Sequence, residues 1–238
     1  MTTAYEDKKA DEAPAEKWIY GWILVVAPIL ATGFAMIHPS LDTHELAGVL
    51  KELNAGATFN GWVHGSLIGL YMILVAGFCG FSRYLGLDRP LVVVALVAYV
   101  FGAFAMLGAA VVNGFALSLF AQRYAGAQPD QFIAIKASIN AMGSISGTWA
   151  GIGAVASSAA IALWSVALLS PAVQSRAIGV FGLLLGIATS VMLVTGTLIL
   201  NVHGFLLLVI SQAAWTIAVG FQLLRAARLE HRALRGEV

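Results

Sequence analysis

Four of the five histidines, His38, His44, His64 and His203, fall at or between the ends of long apolar runs. Two of them share a local pattern. His64 sits in Asn60-Gly61-Trp62-Val63-His64-Gly65 and His203 in Asn201-Val202-His203-Gly204, each preceded by an asparagine and followed by a glycine. A third stretch, Asn140-Ala141-Met142-Gly143, has the same form with methionine in the histidine position. If three helical hairpins are built alike, their second helices place His64, Met142 and His203 in one layer, with His38 close by at the end of the first helix. Imidazole nitrogen and thioether sulfur are ligands for copper, and two imidazoles on different helices suit the two axial positions of a haem iron. His38, His64, Met142 and His203 are therefore the candidate metal ligands, with His64 and His203 the candidate cofactor-binding pair. Glycine beside the ligand leaves room for a flat macrocycle or a close helix. Asn60, Asn113 and Asn201 are expected to hold ring nitrogens, or a substrate carbonyl, from behind the ligands.

The elements that must position these residues are membrane helices. The chain is 60% hydrophobic and 11% charged, with a mean hydropathy of +0.87, whereas charged residues make up about a quarter of a soluble domain. Six apolar runs cover 18–37, 61–81, 91–121, 144–169, 177–200 and 204–224, and none of the Lys, Arg, Asp and Glu residues falls inside them. Each has the roughly 20 residues needed to cross about 30 Å of hydrocarbon, where only helices satisfy the backbone of an isolated segment. The expected fold is all-α and polytopic, six transmembrane helices in an antiparallel bundle.

Charge sets the expected orientation. Lys8, Lys9, Lys17, Arg83, Arg89, Arg176, Arg225, Arg228, Arg232 and Arg235 fall on one side of the spans, and only Lys51, Arg123 and Lys136 on the other. The positive-inside rule then places both termini in the cytoplasm and the histidine layer at the outer face of the plasma (inner) membrane. Residues 1–17 read as a polar cytoplasmic tail, 18–225 as one membrane domain and 226–238 as a basic tail. The first run lacks the flanks of a signal peptide and reads as retained. His231 falls in the cytoplasmic tail, and the single Cys79 lies within the second run, so neither a disulfide framework nor a thiolate metal site is expected.

Local signals add detail. Leu46, Val49, Leu50 and Leu53 recur at helical spacing after Asp42 and Glu45, predicting a short amphipathic helix in the first outer loop. Pro129 and Asp130 mark the start of the fourth helix ahead of its apolar run. Gly143, Gly147 and Gly151, with Ala150, Ala154, Ser158 and Ala162 on a neighbouring ridge, predict close helix contacts; Gly65 with Gly69 and Gly182 with Gly186 repeat the spacing. Such ridges serve contacts within the chain, with a second copy or with another membrane subunit. Trp18, Tyr20, Trp22, Trp62 and Tyr84 read as interfacial anchors.

Three functions compete. The first is a binding or redox module holding copper or haem in the histidine layer. The second is a non-catalytic membrane subunit or small-solute permease without a cofactor, with the asparagines and Gln212 as polar contacts between helices. The third, an outer-face zinc hydrolase using His38, Asp42, His44 and Glu45, has no close ligand pair on one helix to support it. No catalytic residue is identifiable, and the net charge of +1 excludes a nucleic-acid surface beyond the tail.

Overall fold

In the computed structural model, residues 2–39, 43, 45–170 and 175–237 are described, without the side chains of 2–14 and 202. Asp42 and His44 lie outside the described residues. Helices follow in the order α1 (Thr2–Met36), α2 (Leu46–Ala55), α3 (Ala57–Leu85) and α4 (Pro90–Val111). A π-helical segment (Val112–Ala116) leads into α5 (Leu117–Arg123), and a 3-10 turn (Pro129–Gln131) into α6 (Phe132–Leu168). The chain ends with α7 (Arg176–Val194) and α8 (Val202–Leu234). The described residues contain no strand.

Six stretches are long and apolar enough to cross a membrane: Ala15–Met36, Ala57–Leu85, Pro90–Arg123, Pro129–Leu168, Arg176–Val194 and His203–Leu234. These are the helices an integral membrane protein requires. The short amphipathic helix of the first loop is α2, and Leu50 buries against Ala121 and Ile135. The turn at Pro129 opens α6 as its sequence suggests.

Two boundaries differ from the hydropathy reading. Helix α1 begins at Thr2, so the polar residues before Trp18 continue the same helix. Helix α7 stops at Val194, not near Leu200. Gly196 takes φ +70, and the Thr195 hydroxyl donates 2.8 Å to the Val191 carbonyl while lying 2.9 Å from the Thr197 hydroxyl. A left-handed glycine flanked by threonines that bond locally ends a helix even in an apolar sequence.

Helix α1 packs along α3 and α8, α3 along α4, and α6 along both α4 and α7. The seams use small residues, but not all those expected. A Cβ on Gly153 would lie 2.6 Å from Met106 Cγ and 2.9 Å from the Gly102 carbonyl oxygen, so bare backbones meet between α4 and α6. Gly186 lies against Ser158 and Ala162, and Gly220 against Gly21, by the same logic. Gly143, Gly147 and Gly151, the longest ridge in the sequence, have nothing within 4 Å of a Cβ. The ridge one step around α6, through Ala154 and Ser158, is the one that buries. Gly153→Ala is expected to lower the stability of the detergent-solubilised protein by roughly 1–3 kcal/mol through overpacking. Gly151→Ala, with open space before it, is expected to be neutral or to stabilise by about 0.5–1 kcal/mol; thermal unfolding followed by circular dichroism compares them.

The centre of the fold is aromatic. Phe78 stacks on Trp164 with centroids 4.7 Å apart and planes 8° from parallel, and Trp215 lies 6.1 Å beyond Phe78. Tyr99 closes the group 4.3 Å from Phe78, and the Trp164 indole donates 3.0 Å to the Ser82 hydroxyl. At the end of the fold bearing the chain termini, Lys17 pairs with Glu230, and the Arg228 guanidinium lies 5.5 Å from the Trp18 ring. Trp22 and Trp62 are exposed as anchors would be, but Tyr20 lies over Gly80 in the α1–α3 seam.

Candidate functional site

The site is built from α3 outward. Asn60 and His64 are one turn apart on α3, and both are buried. His64 Nδ1 lies 3.0 Å from the Asn60 carbonyl oxygen. The Asn60 side-chain amide donates 2.8 Å to the Asn113 carbonyl and 3.3 Å to the Ser118 hydroxyl. Asn113 belongs to the π-helical segment, where one extra residue per turn frees backbone carbonyls from their usual partners. Asn60 supplies one of the missing donors. Gly114 follows, and a Cβ there would lie 2.3 Å from the His64 Cβ. Only glycine lets the π-helical backbone close against the imidazole.

His38 follows α1 and meets His64 across the α1–α3 seam. The two Nε2 atoms are 3.1 Å apart, with the rings edge to face at 70°. His38 Nδ1 lies 2.9 Å from the Pro39 carbonyl oxygen. Carbonyl oxygens only accept, so both Nδ1 atoms carry hydrogen. A neutral imidazole protonated at Nδ1 has a lone pair at Nε2. Two lone pairs therefore converge over 3.1 Å, an arrangement that repels unless a proton or a metal ion lies between. Burial pushes the His38 pKa below its ordinary value, outweighing the raising effect of the Pro39 bond, and so disfavours the proton.

The pair opens on a cavity of about 300 Å³ between α1, α3, α4, α6 and the start of α8. Its polar lining is His38, His64, Tyr71, Asn113, Ser146 and Asn201, and its apolar lining includes Met106. Among the described residues the lining carries no Asp, Glu, Lys or Arg. The Tyr71 hydroxyl and the Asn113 amide make no hydrogen bond to another described residue, whereas the Asn201 side chain caps α8 by accepting from the Gly204 amide at 2.9 Å. The cavity exists because α7 ends early: residues 195–201 leave the helix, and Leu200 and Asn201 line the wall.

Of the sequence candidates, the structure brings His38, His64, Asn113 and Asn201 to the cavity, with Asn60 behind His64. His203 is exposed at the start of α8 and Met142 is half-buried on α6; neither lines the cavity. The thioether that does line it is Met106, which with Tyr71 and Ser146 escaped the sequence reading. No periodic signal separates Met106 from its apolar neighbours on α4. Among the described residues no three His, Cys, Asp or Glu side chains lie close enough to share a metal ion. Of the loop set proposed for zinc, Glu45 is exposed, and Asp42 and His44 lie outside the described residues.

Comparison of the chain with protein-family models, with curated proteins and with solved structures finds no match. Function is argued from the site alone.

Proposed function

We propose that the chain is a six-helix antiparallel bundle in the plasma (inner) membrane that binds copper in an outer-face cavity through His38 and His64. Both termini are cytoplasmic in this reading, residues 1–17 and 226–238 forming the tails, as the distribution of Lys and Arg supports. The observation that carries the metal is the convergence of two Nε2 lone pairs at 3.1 Å. Imidazole nitrogens roughly 2.0–2.1 Å from a tetrahedral ion are roughly 3.3–3.4 Å apart, a few tenths of an ångström from the spacing here. Axial ligation of haem would set them on opposite sides of the iron, about 4 Å apart with a macrocycle between. The edge-to-face rings leave no such gap, so copper is favoured over haem.

Charge favours the cuprous state. Among the described residues the cavity offers no carboxylate or thiolate, and burying an ion without a counter-charge becomes steeply more costly as its charge rises. A monovalent ion on neutral imidazoles is the least costly choice, and the Met106 thioether in the same wall is a soft donor of the kind Cu(I) accepts. The reading is a binding or redox module rather than a conduit. Beneath the cavity, Phe78, Tyr99, Trp164 and Trp215 are packed ring against ring, which supports a blind site over a permease.

The test is the metal content of the detergent-purified protein, iron, copper and zinc being read together by mass spectrometry. About one copper per chain, retained after dialysis against a weak chelator, is the expected result. Substoichiometric traces of all three metals would overturn the reading.

A further inference from the structure

The cavity is enclosed on most sides and open on one. Helix α8 packs on α1, α1 on α3, α3 on α4 and α4 on α6. The remaining seam, between α6 and α8, is held where the Gln212 amide donates 3.1 Å and 3.0 Å to the hydroxyls of Ser157 and Ser158. Helix α7, which lies against Ser158 at Gly186, continues about two turns further toward the histidines and stops at Val194. One lip of the opening is the unpacked ridge of Gly143 and Gly147; the other is Leu200 and Phe205. Val194 and Ile199, exposed in the stretch of chain that leads to Leu200, are apolar. In a bilayer, an opening rimmed by such residues faces hydrocarbon rather than water.

We infer that this opening admits from the lipid a neutral, ring-headed molecule of the quinone class, its head in the cavity and its isoprenoid chain trailing past the glycine lip. Three observations select the class. The described lining is uncharged, so among the described residues a phosphate or ammonium headgroup finds no counter-charge. The Tyr71 hydroxyl and the Asn113 amide, both in the lining, have free donors for ring carbonyls among the described residues. The volume of about 300 Å³ holds one substituted ring, at the low end of ligand pockets. Glycine at the lip leaves a flat backbone surface over which a planar head can slide. The inference deepens the reading of the same cavity but requires only its membrane placement, not the metal.

The experiment uses the full chain in phosphatidylcholine nanodiscs, a photoreactive azidobenzoquinone with a decyl chain, and decylubiquinone as competitor. Label is expected on peptides containing Gly143–Ala150 and Leu200–Phe205, and excess decylubiquinone should remove it. Gly147→Leu, whose side chain would enter open space at the lip, is expected to cut competed labelling about tenfold. Gly69→Leu, equally open but on α3 away from the cavity lining, should leave it unchanged. Gly143→Leu gives a second block at the same lip. Label spread over lipid-facing helices, or not displaced by competitor, or equal in both lip variants and wild type, would overturn the inference. Copper is counted in the same samples. Competed label without copper would overturn the metal reading alone, and copper with uncompeted label would overturn the quinone alone.

Discussion

His64→Ala is expected to reduce bound copper from about one per chain to below about a tenth, and His38→Ala to do the same. Each variant leaves a single neutral imidazole, and one nitrogen donor in a wall without carboxylates among the described residues does not hold an ion against a chelator. The two variants are nearly symmetric in chemistry but not in structure. His64 is clamped between the Asn60 carbonyl and Gly114, whereas the Nδ1 of His38 rests on the carbonyl of its neighbour Pro39. His203→Ala is expected to leave copper unchanged, because that imidazole is exposed and outside the cavity. Metal analysis of the three variants decides between a pair at the α1–α3 seam and a layer spanning three hairpins. Loss of copper in His203→Ala, or its retention in His64→Ala, would reject the pair. Far-UV circular dichroism on each variant shows that the fold is kept.

Asn60→Leu is expected to destabilise the protein by roughly 1–3 kcal/mol although it keeps the number and branching of the side-chain heavy atoms. The cost arises on the partner side. Removing the amide leaves the Asn113 carbonyl and the Ser118 hydroxyl without the donor that reaches them at 2.8 Å and 3.3 Å. The π-helical segment then loses the contact that compensates its freed carbonyls, and reversion to regular α-helix would rotate Asn113 away from the cavity. Thermal unfolding in detergent measures the stability loss, and copper content shows whether His64 has lost its seat. The Asn60 main-chain carbonyl remains in this variant, so a stable protein with full copper occupancy would mean that the amide is dispensable to both.

How far the sequence discloses this arrangement depends on the residue. The six apolar stretches and α2 are legible because lipid leaves the backbone no other choice and because Leu46, Val49, Leu50 and Leu53 keep helical period. The stop of α7 is not, since residues 195–200 remain apolar enough to extend a hydropathy window while Thr195 and Gly196 end the helix locally. The π-helical segment is invisible for the same reason: Val112–Ala116 differs from α-helix in backbone register, not in composition. His38 and His64 were both candidates, yet their pairing depends on how α1 is rotated against α3, which spacing within either helix does not record. The resemblance around His203 misled because α3 begins at Ala57 and α8 at Val202. The same asparagine–histidine pattern thus lies two turns inside one helix and at the first turn of the other. Gly143, Gly147 and Gly151 are spaced like packing glycines, but register turns Gly143 and Gly147 to the cavity and leaves Gly151 unpacked, and Gly102 with Gly153 makes the contact instead.

The stacked indoles at the centre give the molecule an internal optical gauge. Trp164 and Trp215 are fully buried, with centroids 6.4 Å apart and planes 16° from parallel, close enough for their near-ultraviolet transitions to couple. Trp22, Trp62 and Trp149 are exposed on helices that face lipid. Emission from the exposed indoles is open to quenchers carried on acyl chains, while the buried pair is screened from them. The signal that survives such quenching therefore follows the packing of the aromatic centre, independently of the cavity above it and of whatever the cavity binds.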